Sequence, residues 1–288
     1  MERNTRKQTQ FKLRDERTLA ILKLHKQEHV SPFLDGTNLL YIHVLNQAEP
    51  QWETRRYNDG EASIVEHRIS RWLLDSWIVH GTTERVAYWL KHAELVWEKQ
   101  RYYTSLKKRL LRLPEQKRKR EMYRSYARML QAFLAAKELK QEGAVPDAYQ
   151  AILRALQEWA SLIAWKKGEY PHPAIWQQVK RLDPSVYKLY EELIDGPEPL
   201  DKRIELLLLP TEFGVISLMK ECTMYLTDII QSRNRPWSVN ELMQQPGLAD
   251  TEIDLYSLLE KMAKRSIVLE IELKNEDGSN ELGYRLSG

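Results

Sequence analysis

The sequence changes character near residue 103, and this change most restricts how the chain can fold. Before it, short runs of β-branched and aliphatic residues alternate with turn residues, a pattern that predicts strands mixed with short helices. After it, long helical patterns follow one another, separated by Pro and Gly. Pro favours the first turn of a helix and Gly favours its end, so this part predicts an all-helical bundle. The chain is therefore predicted to belong to the α+β class.

The strongest strand signal in the first region is Leu39–Leu45, which is rich in aliphatic side chains and follows a turn-forming segment at residues 31–38. Residues 52–57 and 62–67 lie on either side of an Asn-Asp-Gly turn, which predicts a hairpin. Residues 19–24 are apolar and fit either a helix end or a strand. The remaining elements of this region are two helices and a last strand, predicted at residues 69–79, 84–91 and 95–98.

The helical region divides into a bundle and a tail. The bundle helices are predicted at residues 105–113, 115–141, 146–167, 173–181, 184–195 and 199–209. The tail elements are a long helix, a short helix capped by Ser238, a third helix and two strands, predicted at residues 213–231, 239–244, 250–264, 266–273 and 283–286. This order is typical of a winged helix. The sequence thus predicts three parts, at residues 1–103, 104–210 and 211–288.

Composition and length exclude several classes of protein. With 288 residues, 42% hydrophobic and 30% charged, the chain is long enough for two or three globular domains and is not disordered throughout. Cys222 is the single cysteine, which excludes a disulfide framework within the chain and fits a reducing compartment. The polar first 17 residues do not have the pattern of a signal peptide, and no apolar run is long enough to span a membrane. We therefore expect a cytoplasmic protein without a membrane partner.

The strongest charge feature lies between Arg101 and Arg128, where eleven Lys or Arg accompany two acids. Basic residues at this density attract phosphate, although charged runs on long helices are usually solvated faces. Helical periodicity allows only a subset of these side chains to converge. The candidates for phosphate or nucleic-acid binding are arginines, which can bind phosphate through two parallel hydrogen bonds, at Arg109, Arg112, Arg120 and Arg124.

The run from Leu34 to Ile42 resembles the acidic strand of polymerase-β-type nucleotidyltransferases. In that family a Gly-Ser turn precedes a strand that opens with two acids one residue apart, and a third acid lies on a neighbouring strand. The helical region resembles the substrate-binding domain of small bacterial nucleotidyltransferases. The order of the three predicted parts is similar to that of a nucleotidyltransferase-like family of Gram-positive bacteria, whose members end in a small helix-turn-helix domain. Residues 148–156 and 187–193 also carry this resemblance.

The resemblance is incomplete at the residues that nucleotidyl transfer requires. The reaction uses two divalent ions, which acids at positions i and i+2 of one strand can hold together. In the alignment that the resemblance implies, Gly36 and Asn38 occupy these positions, and Glu66 matches the third acid as the single candidate catalytic residue. A shift of one residue brings Asp35 and Thr37 to the two positions, which is still not a pair.

We therefore expect a catalytically degenerate homologue, a pseudoenzyme without a metal site, that binds a nucleotide, a nucleic acid or a protein partner. One alternative is an active nucleotidyltransferase with an atypical site, which would need Mg²⁺. The other is a DNA-binding regulator that acts through the winged helix. Its predicted recognition helix opens with the acids Glu252 and Asp254, so a protein partner fits this tail as well as DNA does.

Overall fold

The computed structural model describes residues 16–26, 37–59, 62–249, 254–274 and 280–287. The chain divides into two compact units, Met1–Pro114 and Glu115–Gly288. The first unit combines a five-stranded sheet with helices, and the second unit is helical with a small sheet near its end. The predicted α+β class, a mixed sheet followed by helices, is confirmed.

The sheet of the first unit has the order β3-β4-β2-β1-β5. Its strands are β1 Thr18–His25, β2 Leu39–Leu45, β3 Trp52–Asp59, β4 Ala62–Ser70 and β5 Glu94–Glu98. β2 pairs parallel with β4 and antiparallel with β1, whereas β3 and β4 form the predicted antiparallel hairpin. The prediction of a central strand at Leu39–Leu45 is confirmed, and the apolar residues 19–24 belong to a strand.

The helices of the first unit cover one face of this sheet. They are α1 Arg71–His80, α2 Glu84–His92 and α3 Tyr102–Leu110. Ser70 and Thr83 cap α1 and α2, because each side-chain oxygen accepts a hydrogen bond from a backbone N–H in the first turn. The core beneath them uses alternate residues of the strands, as the period of two requires, at Ala20, Leu22, Leu24, Leu40, Ile42, Val44 and Ile69. The residues between these positions form the opposite face.

The second unit opens with long helices that form the predicted bundle. They are α4 Glu115–Gln141, α5 Val145–Lys166, α6 Ile175–Leu182, α7 Pro184–Asp195, α8 Leu200–Cys222 and α9 Met224–Gln231. The predicted helix end at residue 209 and the new start at residue 213 are wrong, because α8 continues through Pro210. The Thr211 hydroxyl donates to the Leu207 carbonyl at 2.7 Å, and buried Ile204 and Val215 pack on either side of the proline. Continuous packing thus offsets the hydrogen bond that a proline removes, and the proposed boundary at residues 210–211 lies inside one helix.

The tail contains short elements in the predicted order. They are β6 Trp237–Ser238, α10 Val239–Met243, α11 Leu255–Lys264, β7 Val268–Lys274 and β8 Asn280–Leu286, with the sheet order β6-β8-β7. The Ser238 hydroxyl accepts from the Glu241 N–H, and the Glu241 carboxylate accepts from the Ser238 N–H, which is a capping box. The predicted start of the third helix, including Glu252, and the hairpin tip lie outside the described residues. Across the described ranges, no helix is both long and apolar enough to cross a membrane.

Candidate functional site

Glu66 lies on β4, on the face of the sheet opposite the helices α1 to α3. Its neighbour across the parallel pairing is Tyr41 of β2, and its side chain is 3% exposed. The Tyr57 hydroxyl donates to one carboxylate oxygen, and the Arg68 Nε lies 3.4 Å from the other. Burial raises the pKa of the Glu66 carboxyl, while the charges of Arg68 and Arg55 oppose that rise. Glu66 is therefore a buried acid held among cations.

Two polar residues of β2 share this face with Glu66. Tyr41 and His43 are separated by one residue, so their side chains point to the same side as Glu66, whereas Leu40, Ile42 and Val44 enter the core on the other side. His43 is fully buried, and its Nε2 lies 3.8 Å from a Glu66 oxygen. Burial raises the pKa of the Tyr41 hydroxyl. In this strand, a phenol and an imidazole occupy positions i and i+2 on the face of Glu66.

Asn38 precedes β2 and has a structural role. Its backbone N–H donates to the Ser63 carbonyl at 2.9 Å, and its side-chain oxygen accepts from the Ser63 N–H at 3.0 Å. These bonds join the start of β2 to β4. Gly36 lies outside the described residues, so the assignment of Gly36 and Asn38 to the two acid positions stays a prediction.

Two arginines lie beside Glu66 on this face of the sheet, and one lysine lies two strands away. Arg55 of β3 is the cross-strand partner of Glu66, and Lys23 of β1 is the partner of Tyr41. The Arg55 guanidinium donates to Glu53 through Nε at 2.9 Å and Nη2 at 2.8 Å. We call this set of residues the polar face, and its members are Lys23, Tyr41, His43, Glu53, Arg55, Tyr57, Glu66 and Arg68. It suits an anion better than a metal, because guanidinium groups match phosphate oxygens in geometry and charge.

The donor set of the polar face does not fit Mg²⁺. Magnesium takes oxygen ligands in near-octahedral geometry, usually from carboxylates. Glu66 already accepts a hydrogen bond from Tyr57, and Glu53 is bound to Arg55 on the edge strand. No group of three or more His, Cys, Asp or Glu is arranged to hold a metal ion in the part of the chain that the structure describes.

The candidate arginines of the basic run are divided between the two units. Arg109 and Arg112 belong to the first unit, at and after the end of α3, where both are exposed. Arg120 and Arg124 belong to α4 of the second unit, and both contact Glu121, at 3.4 and 3.6 Å from its Oε1. Lys117 Nζ lies 3.8 Å from the same oxygen. The structure thus brings three cations around one carboxylate on α4.

Sequence reasoning missed most of the polar face. Tyr41 and His43 carried a readable signal, because they are polar residues at alternate positions of an otherwise aliphatic strand. Arg68 follows Glu66 by two residues on the same strand, and Arg55 lies in the predicted hairpin, so alternation could have placed both on this face. Lys23 carried no such signal, since only the strand order brings it to this face. Cys222 is buried as expected, and burial raises the pKa of its thiol to about 12, so it has no place in the site.

Comparisons with known proteins assign two successive parts of the chain to described domains. Residues 1–118 match the family described as nucleotidyltransferase-like, and residues 119–218 match the YgxA-like substrate-binding domain. Together with the mixed sheet, these matches fit the nucleotidyltransferase-like family of Gram-positive bacteria that the sequence resembles.

Two relatives share almost the whole chain. The Bacillus subtilis (strain 168) protein YgxA is 26% identical over 261 residues, which cover 90% of this chain and 88% of YgxA. The crystal structure of a nucleotidyltransferase-like protein from Exiguobacterium sibiricum 255-15 is 27% identical. It covers all of both chains with a TM-score of 0.72.

Proposed function

We propose that this protein is a nucleotidyltransferase homologue without transfer activity, and that its polar face binds the phosphate groups of a nucleotide. The observation that carries the proposal is the pair Tyr41 and His43, which share the face of Glu66. We propose that they occupy the positions where an active enzyme of this fold has its paired acids. A phenol and an imidazole cannot supply the carboxylate oxygens that two magnesium ions require. Loss of the metals would remove several kcal/mol of transition-state stabilisation.

The cations of the polar face support phosphate as the ligand. In an active enzyme of this type, metal ions neutralise the triphosphate. Here Lys23, Arg55 and Arg68 provide fixed positive charge around the position of Glu66. The Arg55 side chain is 48% exposed, so its guanidinium is accessible to a ligand that displaces Glu53. Nucleotide binding should therefore not require a divalent ion.

The experiment measures binding of a fluorescent nucleoside triphosphate in EDTA and again with Mg²⁺, together with pyrophosphate release. We expect similar affinity in both conditions and pyrophosphate release equal to the protein-free background. Arg55→Glu should weaken binding about tenfold, which corresponds to about 1.4 kcal/mol. Arg56→Glu is the matched control, because Arg56 is the next residue of β3, and its side chain donates to Ser63 on the opposite face.

Pyrophosphate release that disappears in Glu66→Ala would contradict the proposal and favour the active metal-dependent transferase. Triphosphate binding that Arg55→Glu and Arg56→Glu weaken equally would remove the polar face as the site. We place the protein in the cytoplasm as part of this proposal, since a single buried cysteine fits a reducing compartment.

A second candidate function is regulation through a winged helix in the tail. The order α10, α11, β7, β8, with β6 paired to β8, favours this assignment. The described part of α11 exposes Tyr256, and Lys264 at its end pairs with Glu260. Because Asp254 caps the helix where a groove-reading helix needs neutral or basic residues, we propose a protein partner rather than DNA. Sequence-independent binding of a duplex panel by residues 1–288, lost on Lys264→Glu, would favour DNA.

A further inference from the structure

A cleft of about 850 Å³ opens between α5, α7 and α8 of the second unit. Its volume lies within the range of about 300–1,000 Å³ that is typical of small-molecule sites. Every lining residue falls between residues 159 and 218, inside the region that matches a substrate-binding domain. The cleft is separate from the polar face, which belongs to the first unit.

The walls of the cleft are apolar and partly aromatic. Trp159 of α5 and Phe213 of α8 both line it. Leu209 and Phe213, one turn apart on α8, expose 75% and 73% of their surface and form an apolar patch along the cleft. Gly214 lets the Trp159 ring lie directly against α8, since a Cβ there would be 2.4 Å from the ring. Two aromatic side chains in an otherwise aliphatic wall suit a flat apolar body.

Charge at the mouth of the cleft is positive. Lys166 and Lys167, at the end of α5, line the cleft together with one acid, Asp183. The Asp183 carboxylate caps α7, accepting from the Ser185 N–H at 3.1 Å and from the Ser185 hydroxyl. It is therefore already engaged by donors. Lys166 Nζ is 2.6 Å from Glu221, while the Lys167 side chain is exposed.

We propose that this cleft binds a small amphipathic anion, with its flat apolar body between Trp159 and Phe213 and its anionic group at Lys167. The apolar walls supply most of the binding free energy through burial, and the lysine selects the sign of charge. This inference does not depend on the proposed function, because neither Arg55 nor Glu66 takes part in it.

The test uses two aromatic probes of similar size, the anion 8-anilinonaphthalene-1-sulfonate and the neutral N-phenyl-1-naphthylamine, each titrated by fluorescence. The wild-type chain should bind both saturably at one site. Phe213→Ser should weaken both probes about tenfold, because it removes apolar wall. Lys167→Glu should weaken the anion about tenfold and leave the neutral probe within about twofold.

Matched controls lie on the same helices outside the cleft. Leu206→Ser removes an apolar side chain that is 48% exposed on α8, and Lys188→Glu reverses an exposed charge on α7. Both should bind the two probes as the wild type does. The inference is overturned by absent probe binding, by equal losses in Phe213→Ser and Leu206→Ser, or by a Lys167→Glu loss that is the same for both probes. All four positions are exposed or partly exposed, so thermal melts should show that the variants remain folded.

Discussion

The polar face of the first unit and the cleft of the second unit are built from opposite chemistry. On the polar face, a buried acid is surrounded by Arg55, Arg68 and His43, and nearly every side chain is polar. In the cleft, aromatic and aliphatic side chains form the walls and charge appears only at the mouth. We therefore expect a ligand of the first site to be recognised through its phosphate charge and a ligand of the second through its apolar surface.

This difference suggests how a transferase fold can lose its reaction and keep its binding sites. In the function proposed above, fixed cations take the place of two metal ions held by acids; they would attract phosphate but could not activate an attacking oxygen. The cleft needs no such change, because burial of apolar surface does not depend on catalytic groups.

The largest effect is expected when the acid pair is introduced on β2. The double variant Tyr41→Asp/His43→Asp places three carboxylates on one face of the sheet, with His43 fully buried. Without metal, the added charges should destabilise the chain by about 3 kcal/mol or more. Mn²⁺ should recover much of this loss, measured as melting temperature in EDTA and in Mn²⁺.

The matched control is Tyr41→Asn/His43→Asn, which has similar size and cannot neutralise two ions. It should melt at the same temperature in EDTA and in Mn²⁺. Equal responses of the Asp and Asn variants to Mn²⁺ would show that β2 is aligned differently from this family's acidic strand.

The second prediction concerns the wall of the cleft. Gly214→Ala places a Cβ 2.4 Å from the rigid Trp159 ring, so the ring or α8 must move. The cost in unfolding free energy should be about 1–3 kcal/mol, as for other overpacked sites. Binding of the aromatic probes should weaken, while nucleotide binding should not change.

A double-mutant cycle checks the cause of that loss. In a Trp159→Leu background, Gly214→Ala should cost clearly less, since the clashing ring is gone. An undiminished cost would assign the effect to the backbone of α8 instead of the contact between the two residues.

The two regions also differ in how much of them the sequence predicts. The aliphatic run Leu39–Leu45 predicted a strand, because local composition and burial agree there. Glu66 was found through the family resemblance. Arg68 follows Glu66 by two residues on the same strand, and Arg55 lies on the other strand of the predicted hairpin, so both could have been placed beside it. Lys23 could not, since its position depends on strand order across the sheet. The cleft was not predictable, because its shape depends on how three helices pack against one another.

Pro210 shows why a local rule can mislead. A proline predicts a helix end when the chain around it has no other support. In α8 the flanking turns are held by buried Leu207 and Val215, and this packing outweighs one missing hydrogen bond. The helix-breaking propensity of proline correctly predicted a lost hydrogen bond at Pro210. The packing of the flanking turns contributes more free energy than that bond, so the helix continues.

The third prediction concerns Glu66 and pH. Because burial raises the pKa of its carboxyl in the folded chain, ionised Glu66 lowers stability above that folded pKa. Glu66→Gln should therefore raise the melting temperature at pH 8. The difference from wild type should shrink as pH falls through the folded pKa and vanish below the unfolded value of about 4.3.

Glu53→Gln is the control for this measurement, since Glu53 lies on the same face and is 40% exposed. Its melting temperature should track that of the wild type across the pH range. A Glu66→Gln variant that is less stable than wild type at pH 8 would mean that attraction to Arg68 and Arg55 outweighs the burial of the carboxylate.

The smallest effect is expected at the basic helix α4, and it decides whether phosphate binding is confined to the polar face. Glu121 holds Lys117, Arg120 and Arg124 around one oxygen, at 3.4 to 3.8 Å. Partly exposed pairs of this kind stabilise a protein by about 0–1 kcal/mol each, so Glu121→Gln should change stability little. It should, however, remove the negative charge that three cations share, so this part of α4 becomes more positive. If α4 is a binding surface, Glu121→Gln should strengthen binding of a single-stranded oligonucleotide at low salt.

Charge reversal at Lys117 and Arg120 then tests the same surface in the opposite direction. It should weaken oligonucleotide binding equally for all sequences and lower the slope of log affinity against log salt by about 0.7 for each lost phosphate contact. Reversal at Arg109 and Arg112 in the first unit, measured in parallel, shows whether those arginines share the same ligand. If neither Glu121→Gln nor the reversals change binding, the basic run is a solvated face. We would then expect phosphate recognition at Arg55, Arg68 and Lys23 of the polar face.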